Sequence, residues 1–251
     1  HLEAAALPGV RFTDGLPAAL NAGLVDGRLD VSAVSSIAYA RAADRLRLLP
    51  VGCIACDGAV DSIRLFSDVP VDQVRRVAVT PHSASSVTLL RVLLGPHVPF
   101  RVLGDDSLAG EALASGEAVL LIADAALQAH RSGMAPYSTD LGEMWRVRTG
   151  LPMVFAVWAV RDDTLRHRPY EVAALGGAIA SAPTAFAEDP VRVVHAAARR
   201  FPFDEDFIAG YLRRLRYGFG PDERAGLERF LAMARQAGEL DHDHAMEALA
   251  A

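Results

Sequence analysis

Apolar and polar positions change rhythm partway along this chain of 251 residues. As far as Arg161, short apolar runs alternate with segments whose apolar residues recur every three or four positions. Strands are predicted near 9–12, 28–34, 50–56, 60–66, 76–80, 99–103, 118–122 and 153–160, with helices at 15–26, 36–45, 84–94, 107–115, 124–130 and 139–149. Alternation of this kind is an α/β pattern. Beyond Arg161 only helical spacing remains, in four segments. Asp189-Pro190 supplies a cap and a first-position proline, and Asp204 and Asp222 open the next two helices. Phe207, Tyr211 and Leu215 fall at i, i+4 and i+8, and Leu227, Phe230, Leu231 and Ala234 trace one face, so both sets read as packing stripes.

The break at Ser67-Asp68-Val69-Pro70 and the return strand at 153–160 bracket a central unit. A chain that leaves one unit, builds another and comes back makes two lobes joined by two crossings, here residues 1–70 with 154–251, and 71–153. Ligands of such proteins sit in the cleft between lobes.

Two turns stand out for their chemistry. The strand ending at Val79 runs into Thr80, Ser83, Ser85 and Ser86, and the spacing of Val87, Leu90 and Leu94 then marks a helix. Three serines in four residues exceed what capping needs. Free N–H groups at a helix start, with added hydroxyls, suit a carboxylate or phosphate. An earlier unit repeats the grammar, with an apolar run ending at Val34, then Ser35 and Ser36, then the helical Ile37 to Arg41. The two turns fall in opposite lobes, so closure would bring both onto one small dianion.

Composition removes several alternatives. All 25 basic residues are arginine, so Schiff-base chemistry, pyridoxal phosphate attachment and a P-loop lysine are excluded. A net charge of -6, with no basic run longer than two residues, excludes a nucleic-acid face. The longest apolar runs are too short to span a bilayer, and no membrane association is expected. Cys53 and Cys56 form the only C-x-x-C. On a strand their side chains point to opposite faces, and a single pair lacks the four ligands of structural zinc. Asp241-His242-Asp243-His244 in the charged tail is read as solvated, so no metal site is expected. Neither G-x-S-x-G nor H-E-x-x-H occurs.

Four segments occur in a telling order: Gly58-Ala59-Val60-Asp61-Ser62, Ser83-Ala84-Ser85-Ser86-Val87, Leu121-Ile122-Ala123-Asp124-Ala125-Ala126-Leu127, and Gly150-Leu151-Pro152-Met153-Val154-Phe155-Ala156-Val157-Trp158-Ala159. Together with Gly27 to Ser35 they resemble the chorismate dehydratases of the futalosine route to menaquinone, from about residue 10 to about residue 235. The resemblance implies a two-lobed type II periplasmic-binding-protein-like fold with a helical C-terminal segment. It also implies a cytoplasmic lyase converting chorismate to 3-[(1-carboxyvinyl)oxy]benzoate without a cofactor, its partner being that small dicarboxylate. By position, Ser62 matches a serine at the reacting centre. Ser35, Ser36, Ser83, Ser85 and Ser86 match substrate-binding hydroxyls, and Asp124, in the loop after a second-lobe strand, either orients a neighbouring donor at the site or caps the helix at 125–130. The substrate's own enolpyruvyl carboxylate is the expected acceptor of the C3 proton, since no histidine falls at a matched position. The family opens on a strand ending in an asparagine closely followed by proline. Asn21 lies in a helical segment and does not replace it, so a chain opening at His1 is expected to turn over weakly. Two other functions remain open: a non-catalytic solute-binding protein for a small carboxylate, and the sister dihydroxynaphthoate synthase. The Pro152 to Ala159 stretch points away from the second.

Overall fold

The computed structural model describes residues 7–241. Helix α1 (Pro17–Val25) starts on a proline, whose missing N–H costs nothing at that position. It leads through a left-handed Gly27 to β1 (Val31–Ser35), and α2 (Ser36–Arg41) follows directly. The long β2 (Leu46–Cys56) follows, and the chain then crosses over to β3 (Ile63–Ser67). Then come β4 (Val77–Val79), α3 (Ala84–Leu94), β5 (Phe100–Val102), α4 (Ala109–Ala114), β6 (Ala118–Ile122), α5 (Ala123–Arg131), β7 (Tyr137–Asp140) and α6 (Leu141–Thr149). The chain returns in β8 (Met153–Arg161) and ends in α7 (Asp162–His167), α8 (Pro169–Glu188), α9 (Pro190–Ala198), α10 (Glu205–Arg214), a two-residue β9 (Leu215–Arg216) and α11 (Pro221–Gln236).

The strands form two sheets, ordered β1-β8-β2-β9 and β5-β4-β6-β3-β7. Strand β3 belongs to the second sheet, pairing with β6 and β7. The chain therefore passes between sheets within residues 57–62, ahead of the boundary at residue 70 read from the sequence. The second crossing is braced from behind. Trp145 of α6 donates its Nε1–H to the Pro152 carbonyl (3.1 Å) and meets Phe230 of α11 edge to face. A Cβ at Gly226 would collide with that same carbonyl, so only glycine lets α11 lie this close.

Three expectations fail locally. Residues 9–12 form no strand: Pro8-Gly9 turns the chain, with Gly9 at φ +75° and Val10 N–H donating to Leu7 O, and the segment finds no pairing partner. Conversely, β7 and β9 form where no strand is predicted, because Tyr137-Ser138-Thr139-Asp140 and Leu215-Arg216 carry no apolar alternation. Five helices follow β8 where four were read, since Asp162–His167 forms a helix of its own.

Both cysteines are buried and free. The Cys53 thiol donates to Gly218 O (2.9 Å), whereas Cys56 faces Gly142 at the start of α6. Burial, helped by the Glu223 charge, pushes Cys53 up to about 12, and burial raises Cys56 as well. Neither thiol is nucleophilic near neutrality. In native protein at pH 8 a thiol reagent is expected to label neither residue within minutes, and to label both after unfolding. Fast labelling of the native chain would contradict the packing.

Candidate active site

Strand direction gathers the polar turns. In the second sheet, β4 runs parallel to β6, and β3 runs antiparallel to both β6 and β7. The carboxyl ends of β4, β6 and β7 and the amino end of β3 therefore share one edge, which carries Thr80 to Ser86, Asp124, Asp140 and Ser62. In the first sheet, β1 and β2 both run antiparallel to β8, so Ser35 and Cys56 finish at the end where β8 begins. Both crossings leave from that end. The carboxyl ends of strands in the two sheets thus face each other, which is where open α/β sheets bind ligands.

Ser62 is 5% exposed and tightly clamped. Its N–H donates to Val60 O (2.8 Å), and its carbonyl accepts the Ala123 N–H (2.7 Å). Asp61 and Ala123 hold φ at +61° and +50°, a region costing L-residues about 1–2 kcal/mol each. Asp140 is what enforces the first of these. Its carboxylate accepts the N–H groups of Val60 (3.1 Å) and Asp61 (2.7 Å) from the serine loop, and those of Gly142 (2.9 Å) and Glu143 (3.1 Å) as the cap of α6. The buried Arg64 completes the frame, donating to Asp61 O, Asp61 Oδ1 and Ser138 and lying 3.8 Å from Asp140 Oδ2.

A residue read as packing reaches the same serine. Tyr211 of α10 donates its phenolic O–H to Ser62 Oγ (3.0 Å), and one turn on Arg214 Nε pairs with Asp61 Oδ2 (2.8 Å). Burial raises the Tyr211 phenol, the Ser62 bond opposes the rise, and the Asp124 and Asp61 charges add to it. Asp124 stands in the first turn of α5, is raised by desolvation, and has no hydrogen-bond or ion-pair partner among the described residues.

The serine turns meet directly. Ser85 Oγ accepts the Ile37 N–H (3.2 Å), so the starts of α2 and α3 touch. At their far ends Glu239 binds Arg91 (3.0 Å) of α3 and Arg41 (3.5 Å) of α2, which keeps the two helices side by side. Ser83 caps α3 by accepting the Ser86 N–H (3.2 Å) while donating to Ser86 Oγ (2.8 Å). A helix start leaves the N–H groups of Ala84 and Ser85 without an intrahelical acceptor. Ser36 turns inward and donates to Val154 O (2.7 Å). Ser35 is held by Asn21, whose side-chain carbonyl accepts the Ser35 N–H (3.0 Å) and whose amide donates to Ser35 Oγ (3.0 Å). Since α2 has only six residues, its dipole is weak, and its contribution is hydroxyls and N–H groups.

The roles of Asn21, Arg64, Asp140 and Tyr211 at the site do not follow from the sequence pattern. Only Asp140 carried a local signal, as a cap residue three before Glu143. The others each reach a partner between 14 and 149 residues away. Of the acidic and histidine tail, His242, Asp243 and His244 lie outside the described residues. Among the described residues no group of three His, Cys, Asp or Glu side chains is placed to hold a metal, and no helix is long and apolar enough to cross a membrane.

Comparison with known proteins places this geometry. The chain is 34% identical over 244 residues to a chorismate dehydratase of Thermus thermophilus, covering 89% of this chain and 86% of the relative. A 1,4-dihydroxy-6-naphtoate synthase of the same organism is 30% identical over 144 residues, 57% of this chain and 53% of its own. Among solved structures, the periplasmic aliphatic sulphonate binding protein SsuA of Escherichia coli superposes with a TM-score of 0.62 at 16% identity, over 90% of this chain and 80% of that one. That likeness establishes the periplasmic-binding-protein-like fold that the resemblance implies. A family model described as menaquinone biosynthesis matches residues 2–236, and the chain belongs to that family.

Proposed function

We propose that the chain is a hydro-lyase that removes water from chorismate to give 3-[(1-carboxyvinyl)oxy]benzoate, in menaquinone biosynthesis. The observation that carries this reading is the 34% identity to chorismate dehydratase along 89% of the chain. The family match, from residue 2 to residue 236, spans every polar turn at the facing sheet ends.

The chemistry follows from the substrate. The C3 proton of chorismate is conjugated through C1=C2 to the ring carboxylate, so its removal spreads negative charge onto that carboxylate. Donors aimed there stabilise the transition state more than the ground state. The first-turn N–H groups of α3, flanked by Ser83, Ser85 and Ser86, hold one carboxylate, and Ser35, oriented by Asn21, contacts the other. Ser36 supports this contact from behind, through Val154. Ser62 faces the ring edge where C3 loses its proton and C4 its hydroxyl. The enolpyruvyl carboxylate takes the C3 proton within the bound conformer, as proximity allows. The C4 hydroxyl then takes that proton from the carboxyl and departs as water, and the ring becomes aromatic. Asp124 sets the local field around Tyr211 and the serine. The two sheets with their helices act as lobes, divided at the two crossings.

The test is incubation with chorismate under proton NMR. Loss of the cyclohexadiene signals with matching growth of aromatic enol-ether signals is the expected result. Saturable binding without conversion would replace the lyase with a carboxylate-binding protein, and neither binding nor conversion would remove both readings.

A further inference from the structure

We propose that Tyr211 is a positioning residue for the dehydration, its phenol fixing the orientation of the Ser62 hydroxyl through the 3.0 Å hydrogen bond between them. This inference rests on the function proposed above and names a part of the site that lies far from it in sequence.

Everything about Ser62 except its hydroxyl rotor is already fixed. Its N–H is bonded to Val60 O and its carbonyl to the Ala123 N–H, and left-handed backbone stands on either side of it, at Asp61 and Ala123. A serine side chain still samples three staggered positions, and its proton rotates freely. A donor on one lone pair narrows that freedom. With Tyr211 donating, the Ser62 proton has to leave along another tetrahedral direction. No bond to another described residue takes up that proton, which leaves it for a bound molecule.

The phenol is suited to this task. Its raised ionisation keeps it a neutral donor at ordinary pH. Its position is also enforced, because α10 docks on α5 as well as on the serine loop. Phe203 stacks on Phe207 (4.9 Å), Arg131 of α5 lies over the Phe207 ring (4.7 Å), and Leu127 of α5 is buried with Ile208. The Arg214 bond to Asp61 secures the following turn. A tyrosine serving only to pack would need the ring and not the hydroxyl. Tyr211→Phe separates the two roles, since it keeps the ring and deletes the donor.

The experiment is a mutant cycle in the full chain with chorismate as substrate, scored by initial rates and thermal unfolding. Tyr211→Phe is expected to lower kcat about tenfold with KM changed less than about threefold, as loss of a single orienting hydrogen bond predicts. Its melting midpoint is expected to stay within about 3 °C of the parent. In a Ser62→Ala background the same change is expected to cost nothing further, because the hydroxyl that Tyr211 orients is gone. Site-specific 3,5-difluorotyrosine at 211, whose phenol is more acidic, is expected to restore kcat at low pH and to lose it as the pH rises, an inflection absent from the parent. Equal kcat in parent and Tyr211→Phe, or the same fold-loss with and without Ser62, overturns the inference and leaves the lyase reading standing. A parent chain inert toward chorismate overturns both.

Discussion

Ser62→Ala is expected to lower kcat for chorismate dehydration by about 10²- to 10³-fold, the scale seen when one preorganised donor to developing charge is removed. The proposed role of this serine places its proton at the ring edge where the C–H and C–O bonds break, so the loss falls on the transition state. Ground-state affinity, held by the carboxylate contacts at Ser35 and at the start of α3, is expected to change less than about threefold. The fold should tolerate the change. Ser62 is 5% exposed, an alanine side chain fits the space, and only the Tyr211 hydroxyl loses a partner, at about 1 kcal/mol. Single-turnover rates together with a binding titration separate the two effects. Weakened affinity with an unchanged rate for bound substrate would move Ser62 from the reaction to mere binding.

Asp140→Ala is expected to destabilise the chain by about 3 kcal/mol, within the range for breaking a buried charged network. The aspartate is 7% exposed and accepts four backbone N–H groups, two from the serine loop and two from α6. Alanine provides no acceptor. The N–H donors of Val60 and Asp61 would then lack compensation, the buried Arg64 guanidinium would keep Asp61 as its only carboxylate partner among the described residues, and an unmade buried bond costs more than a made one gains. For a chain of this length the melting midpoint should fall by roughly 10 °C. Asp140→Asn should fall between the parent and alanine, since one acceptor oxygen survives while the new amide presents N–H to N–H. Activity should drop in both variants, because the left-handed Asp61 that aims Ser62 is held by the Asp140 bond. A midpoint within about 2 °C of the parent for Asp140→Ala would show that the loop is held by other means.

The two-sheet α/β plan was legible because it rests on periodicity. Helix α3 begins and ends where the Ser83 cap and the spacing of Val87, Leu90 and Leu94 place it, and β6 occupies 118–122 as its apolar run requires. Strand β7 was not legible, because it is a polar edge strand recruited by pairing with β3 and by the Asp140 cap that follows it. The serine turns could be read from residue type alone. What could not be read was which hydroxyls are committed within the protein: Ser36 to Val154 O, Ser83 to Ser86, and Ser85 to the Ile37 N–H. Tyr211 was hidden by its own ring. In a stripe with Phe207 and Leu215 it counts as an apolar position, and periodicity is blind to the hydroxyl at its tip. Asn21 was set aside for lying in a helix, yet α1 packs beside β1 and aims that side chain at Ser35.

The central claim is that facing strand ends hold the two carboxylates of one ring while Ser62 meets the ring edge between them. A crystal structure of the chain with the product 3-[(1-carboxyvinyl)oxy]benzoate bound tests it most directly. The account predicts one carboxylate at the Ala84 and Ser85 N–H groups, the other beside Ser35, and the Ser62 hydroxyl in contact with the ring edge while still accepting from Tyr211. Product seated away from these turns, or Ser62 without contact to it, would contradict the account.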